Sequence, residues 1–188
     1  VSGRPLPPIR RDPAPAREIF VDFLTRMPAR TPPEVQIATL RAVAGLGVTG
    51  AGHALWDVVY QEARPVDTRV AALQALETLD DLRLEVAAQH AARSPRVELR
   101  LASIPVLARR HPAVSLPLLE PMTRTGTPEE QRRVYLVLAG MTDARADEVL
   151  GPALRRLAEG GVPAAAEAEL LFAAEQRTEA GVVAALRE

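Results

Sequence analysis

A proline recurs along this chain at nearly constant intervals, each time just ahead of a run of apolar residues with helical spacing. The intervals are 32, 30, 33 and 35 residues, and the prolines are Pro33, Pro65, Pro95, Pro128 and Pro163. Proline suits the first turn of a helix, because the N–H that it lacks would have no helical partner there. A self-similar period in this range is typical of stacked two-helix units. The period therefore predicts an all-α chain of about five such units.

The first helices of these units also align by content. Residues 36–43 (QIATLRAV) match residues 69–76 (RVAALQAL) at an offset of 33, and residues 100–107 match the same block at an offset of 31. Large apolar residues recur at i, i+3 and i+6 with Ala or Ser between them, and small residues allow neighbouring helices to approach closely. Pro105 interrupts the third helix and predicts a kink. We expect a right-handed α-solenoid, in which each helix pair packs on the next.

The repeats, an N-terminal helix and an arm account for the whole chain. Residues 1–12 carry three prolines among three arginines and predict an extended arm with polyproline character. Residues 13–28 predict an amphipathic helix that caps the first unit. The predicted repeats then cover residues 31–62, 63–92, 94–124, 127–158 and 161–188. The last one ends on the apolar residues 182–186, which we expect further chain, another subunit or a second copy to cover.

Composition excludes several function classes. The formal net charge is -1, all 23 basic residues are Arg, and acidic and basic residues are interspersed. A protein that binds duplex DNA concentrates positive charge on one face, so no nucleic-acid partner is predicted. The lack of Cys excludes disulfides, thiolate metal sites and covalent haem attachment. The longest uncharged stretch, residues 42–56, is too short to span a bilayer. The start at Val1 indicates a processed protein or a piece of a longer one.

Two stretches resemble known families. The block 69–76, a turn near Asp80-Asp81 and a second amphipathic helix resemble a HEAT repeat, and the likeness covers residues 33–188. More narrowly, residues 126–131 (GTPEEQ), 143–147 (DARAD) and 154–163 (LRRLAEGGVP) resemble the HEAT segment of planctomycete-type multidomain proteins. Those proteins place HEAT repeats between a dehydrogenase-like β-propeller and a c-type cytochrome domain. The resemblance implies a connecting or docking module in an extracytoplasmic (periplasmic) location, without the haem function, because no Cys-x-x-Cys-His is present.

The best candidate for partner contact is the aromatic stripe of His53, Trp56 and Tyr60. Their spacings of three and four residues place them on one face of a helix. Trp and Tyr are frequent anchors in protein interfaces. The alternative is that the stripe packs under the N-terminal helix or arm. If the stripe is exposed, we expect it to dock a partner or the chain's own proline-rich arm.

A secondary candidate is a basic patch in the middle of the chain. It would comprise Arg93, Arg96, Arg100, Arg109 and Arg110. Some HEAT-like enzymes of the alkylpurine DNA glycosylase kind grip DNA on a concave basic surface, but they carry far more positive charge. The alternative is a solvated face on which each arginine has a local acidic partner.

The remaining motifs have simpler structural interpretations. Residues 45–50 match G-x-G-x-x-G but follow a helix, so they predict a turn instead of a dinucleotide site. His90 and His111 lack nearby ligands and are expected on the surface near helix C-termini. Asp80-Asp81 and Asp143/Asp147 are expected to cap helices, and Thr31 and Thr127 to open capping boxes with a Glu three residues later. No catalytic, cofactor-binding or metal-binding residue is predicted.

These features together favour a non-catalytic scaffold or protein–protein interaction module, acting as a subunit or segment of a larger complex. The alternative is a HEAT-fold enzyme or ligand binder, of the nucleic-acid glycosylase or chromophore-lyase kind. A basic groove, a buried carboxylate in a cleft or salt-sensitive DNA binding would favour this alternative.

Overall fold

The chain is all-α, as predicted. The computed structural model describes residues 14–110 and 112–177, and within these ranges it contains helices and no strand. The helices are α1 (Ala14–Arg26), α2 (Pro33–Gly45), α3 (Gly52–Tyr60), α4 (Val66–Thr78), α5 (Leu84–Ala92), α6 (Val97–Arg110), α7 (Pro112–Leu119), α8 (Met122–Thr125), α9 (Pro128–Ala139), α10 (Arg145–Ala158) and α11 (Ala164–Glu175). The predicted arm at residues 1–12, the predicted last helix at residues 178–186, and His111 lie outside the described residues.

Each of the recurring prolines lies at or just before the start of a helix. Pro33 and Pro128 are the first residues of α2 and α9. Pro65 and Pro163 are the residues that cap α4 and α11, and Pro95 lies two residues ahead of α6. The residue before a proline is also kept out of the helical region, so an X-Pro pair marks where a helix can begin. Three helices continue through an interior proline, namely Pro105, Pro117 and Pro152.

Helices contact partners that lie one helix pair further along the chain. α2 contacts α4, α4 contacts α6, α6 contacts α9, and α9 contacts α11. A second series runs beside it, because α3 contacts α5, α5 contacts α7, and α7 contacts α10. Helix α1 contacts both α2 and α3. The first series buries one large aliphatic side chain after another, namely Leu40, Leu73, Ile104, Leu138 and Leu170. Burial of each such side chain contributes about 1.5–3 kcal/mol.

Arginines make polar links between residues about thirty positions apart. Arg64 is buried and donates to the Met27 carbonyl (2.7 Å) and to Gln36 Oε1 (2.6 Å). Arg100 on α6 bonds to Glu130 on α9, with Nε 2.5 Å from Oε1 and Nη2 3.1 Å from Oε2. Burial alone would raise the pKa of Glu130, but hydrogen bonds from Arg100 and from the backbone N–H of Thr127 hold it below its ordinary value. The buried carboxylate therefore stays charged and paired.

The two predicted capping boxes have different outcomes. At α9 the box forms, because Thr127 Oγ1 accepts from the backbone N–H of Glu130 and the Glu130 carboxylate accepts from the N–H of Thr127. At α2 the prediction is wrong, because Pro32 caps the helix and no side chain does so. The cause is the second proline, since Pro33 forces the residue before it out of the helical region. Thr31 therefore lies one residue ahead of the N-cap position of α2.

Candidate functional site

Four aromatic rings contact one another in sequence across α3 and α5, two of the three pairs stacked and the Trp56–Tyr60 pair tilted by 36°. The ring centroids of His53 and Trp56 are 5.8 Å apart and those of Trp56 and Tyr60 are 4.5 Å apart. Tyr60 then stacks on His90 of α5, at 3.9 Å and with an interplanar angle of 17°. His53 is exposed, and the other three side chains are half-buried. We call these four residues the aromatic ladder.

The two sides of α3 explain why the rings are held at the surface. The ladder residues of α3 share one face because they are three and four residues apart. The opposite face carries Leu55, Val58 and Val59, which are buried in the core. Burial of this aliphatic face fixes the rotation of α3, and the rings must therefore lie toward the surface.

Small residues bring α5 close enough to complete the ladder. Ala87, Ala88 and Ala91 are fully buried on the inner side of α5. Their lack of bulk allows helices to pack closely. The Tyr60 hydroxyl also donates to the backbone carbonyl of Val86, at 3.4 Å. The ladder therefore connects two consecutive helices of the same series.

The two ends of the ladder differ in electrostatics. His53 Nε2 lies 3.7 Å from a carboxylate oxygen of Asp57 at the exposed end. At the other end, the pKa of His90 is lowered, first by burial and then by the positive charges of Arg69 and Arg93, which outweigh Glu62. Its position against Tyr60 therefore favours the neutral form of the His90 ring.

The stacking decides which surfaces remain for a partner. Trp56 contacts the rings of His53 and Tyr60, and Tyr60 contacts those of Trp56 and His90, so part of the surface of each ring is already occupied. Within the described part of the chain, Trp56 Nε1 makes no hydrogen bond. The side chain of His53 is 71% exposed, so one end of the ladder is open. The arrangement suits a partner that contacts ring edges and offers a hydrogen-bond acceptor, and it does not suit insertion of a flat ligand.

The structure places all three residues of the predicted stripe together and adds one that the sequence analysis missed. The sequence alone predicts His90 to be a lone surface or capping histidine near a helix C-terminus. It lies 30 residues after Tyr60, which is also the interval from Pro65 to Pro95. Tyr60 and His90 thus occupy corresponding positions in consecutive helix pairs. Comparison of the second helices at this offset would have identified the pair.

No family model and no curated protein matches this chain. The resemblances noted above therefore remain expectations.

The five candidate arginines do not form one open patch. Arg100 and Arg109 lie nine residues apart on α6, which corresponds to about 13 Å along a helix. Arg100 is bonded to Glu130, Arg109 to Glu77, and Arg96 lies 3.8 Å from Glu98. Arg93 donates to the Gln89 carbonyl, and Arg110 ends α6, where its side chain is not described. This arrangement agrees with the alternative of a solvated face with local acidic partners.

The other sequence motifs have structural roles. Residues 45–50 form the turn between α2 and α3, with Gly47 in the left-handed region at φ 63°. Asp81 and Asp143 accept backbone N–H groups just ahead of α5 and at the start of α10, and the hydrogen bonds to Arg145 lower the pKa of Asp143 to about 2. Asp147 instead pairs with Arg177 at 2.5 Å. Within residues 14–110 and 112–177, no cluster of three potential metal ligands occurs.

The length and apolar character of the helices also bear on membrane insertion. None of those in residues 14–110 and 112–177 combines the length and the apolar character needed to cross a bilayer.

Proposed function

We propose that the chain is a HEAT-like, right-handed α-solenoid of about five two-helix repeats, with α1 as its N-terminal cap. The contacts between α2, α4, α6, α9 and α11 in turn, beside the parallel series from α3 to α10, support this proposal. Hydrogen bonds and ion pairs between residues about thirty positions apart in the sequence also support this proposal, because each joins one predicted repeat to the next. In a solenoid each repeat contacts only its neighbours, and the long lateral surface is available for partners.

We further propose that the protein is a non-catalytic scaffold or interaction module, a subunit or segment of a larger complex, and that the aromatic ladder is its contact surface. The observation that carries this proposal is the partly buried position of Trp56 and Tyr60 at the surface, each held by contacts with neighbouring rings. Stacked rings lose little side-chain entropy on binding, since they are already held in one conformation. Large aromatic side chains that are rigid before binding are efficient interface anchors.

The C-terminal end of the stack is the second surface that we propose to be covered. Leu171 and Phe172 on α11 are 39% and 48% exposed, although α11 also buries Leu170, Ala173 and Ala174. The apolar residues 182–186 follow them, outside the described residues. Further chain or another subunit would shield this side, as terminal repeats need a polar cover.

A capture experiment with the full chain tests the ladder as the contact surface. Wild type, Trp56→Ala and His53→Ala proteins would be used to isolate partners from the native source, with quantitative mass spectrometry as readout. We expect Trp56→Ala to weaken capture of a specific protein at least about tenfold, equivalent to about 1.4 kcal/mol. His53→Ala changes an exposed residue, so it should weaken capture without unfolding the protein.

The control is Leu136→Ala, which removes an exposed apolar side chain (48%) from α9, in the other helix series. This variant should capture as wild type does. Equal capture by the ladder variants and the control would refute the assignment of the ladder as a contact surface. Salt-sensitive binding of DNA that requires Arg93 and Arg96 would instead favour the nucleic-acid alternative.

A further inference from the structure

We propose that Arg69, together with the neighbouring Arg93 and Arg96, binds one oxyanion, that is, a phosphate or carboxylate group. The site lies at the His90 end of the aromatic ladder, where α4 contacts α3, α5 and α6. The proposal goes beyond the function proposed for the ladder, and neither depends on the other. It rests on a buried guanidinium that has only one of its nitrogen atoms bonded to the protein.

Arg69 is buried, with an exposed fraction of 5%, and its Nε donates to the backbone carbonyl of Val59 at 2.8 Å. Within residues 14–110 and 112–177, neither of its Nη atoms makes a hydrogen bond or an ion pair. Neither Nη atom is fully enclosed by the protein, so a ligand can reach both from solvent. A buried charge without a partner is costly, and such groups are concentrated at functional sites.

Other arginines of the chain show what Arg69 lacks. Arg64 is similarly buried, yet each of its three nitrogen atoms donates to an oxygen of the protein. Arg100 aligns with Arg69 in the next repeat and pairs with Glu130, thirty residues further on. The residue thirty positions after Arg69 is the buried Leu99, which offers no acceptor. The repeat pattern therefore places a guanidinium at this position without the carboxylate that would neutralise it.

The charges around Arg69 favour an anion. Burial lowers the pKa of Arg69, exposed Glu62 opposes this effect and the charge of Arg96 adds to it. Arg96 in turn lies 3.8 Å from Glu98. With Arg93, three arginines face two acids, so the cluster keeps a positive charge. The two Nη atoms of a planar guanidinium form one edge, which can donate to two oxygens of the same anion.

His90 is a natural reporter for this site. After burial, the charges of Arg69 and Arg93 are what lower its pKa, and Glu62 raises it. A bound anion would offset the two positive charges and thereby raise the pKa of His90.

NMR titration of the full chain tests the site through His90. The ring signals of His90, assigned by their loss in His90→Phe, are followed against pH in sodium sulfate and in sodium chloride at equal ionic strength. Sulfate is the probe because it stays fully ionised over this pH range and resembles a phosphate group in shape. We expect sulfate to raise the pKa of His90 saturably, by about half a pH unit. The ring signals of His53, at the other end of the ladder, should respond equally to the two salts.

Three variants assign the response to the arginines. Arg69→Met keeps an unbranched side chain without the guanidinium and should abolish the response of His90 to sulfate. Arg93→Gln changes an exposed residue and should weaken sulfate binding about threefold. The matched control, Arg133→Met, makes the same change as Arg69→Met at an exposed position of α9 and should respond as wild type does.

Acetate in place of sulfate, added at pH 7, distinguishes the two sources of the oxyanion. Tighter binding of acetate would identify a carboxylate, and tighter binding of sulfate a phosphate group. No response to either anion beyond that to chloride, or a response retained in Arg69→Met, would overturn the proposal. If Arg69→Met does not fold, unchanged sulfate binding in Arg93→Gln would overturn it. Partner capture by Trp56→Ala is measured separately, so failure of the ladder proposal and failure of this one are distinguishable.

Discussion

Arginine side chains connect neighbouring helix pairs in this molecule, and the geometry of the guanidinium explains why. Its planar fork can satisfy several acceptors at once, as Arg64 does with a backbone carbonyl and the side chains of Gln36 and Gln61. Arg177 likewise contacts the Asp147 carboxylate and two backbone carbonyls. A lysine has no comparable fork. Several arginines of this chain therefore have a structural role.

The ladder residue His90 provides a prediction for pH dependence. Its folded-state pKa lies below the ordinary value of 6.5, because of burial and then the charges of Arg69 and Arg93. Between these two pKa values the unfolded chain binds a proton that the folded chain does not, so stability falls as the pH is lowered below about 6.5. We expect His90→Phe, which keeps a ring but cannot titrate, to lose less stability than wild type between pH 7 and pH 5.

Urea unfolding of both proteins at several pH values measures this difference. The acidic residues contribute equally to the two proteins, so the difference between their pH profiles isolates His90. Parallel profiles would show that His90 binds a proton equally well in the folded and unfolded chains.

At the scale of elements, α2 and α9 show how one additional proline changes the start of a helix. Both follow a Thr-x-x-Glu motif, yet only α9 has the reciprocal cap. The residue just before the last proline of the motif takes the capping position, because its backbone is held in the extended region. That residue is Thr127 before α9 but Pro32 before α2, and proline has no side-chain acceptor to offer.

This difference predicts unequal effects of the same substitution. Thr127→Ala removes the hydroxyl that accepts the Glu130 N–H and should lower the free energy of unfolding by about 1 kcal/mol. Thr31→Ala is the matched control and should change it by less than about 0.5 kcal/mol, because the Thr31 side chain caps nothing. Chemical denaturation of the two variants measures both values. Equal losses would mean that Thr31 also caps its helix in solution.

At the scale of the whole molecule, each helix of the series α2, α4, α6, α9 and α11 contacts the next one. The buried aliphatic residues of α2, α4, α6, α9 and α11 lie between successive helices of one series. In the proposed solenoid, a defect should therefore spread only to adjacent repeats, because no single centre gathers side chains from every helix.

Hydrogen exchange tests this proposal through two cavity-forming substitutions. Leu170→Ala in α11 and Leu40→Ala in α2 both truncate fully buried side chains, at a cost of about 2–5 kcal/mol. We expect Leu170→Ala to accelerate amide exchange in α9 to α11 and to leave α2 to α5 unchanged. Leu40→Ala should give the reverse pattern. Faster exchange along the whole chain in either variant would indicate one cooperative core and contradict the proposal.

The sequence by itself determined the helical class, the approximate start of each first helix and the grouping of His53, Trp56 and Tyr60 on one face. These features depend on contacts within about four residues, and proline and apolar spacing report such contacts directly. Three pairings were decided by tertiary structure: the stacking of His90 on Tyr60, and the ion pairs of Arg100 and of Arg109 with glutamates about thirty residues away. Each depends on which helices lie side by side, and local spacing does not encode that arrangement. Helix packing first brings residues that are distant in the sequence close together, and stacking or ion pairing then forms between those whose side chains are complementary.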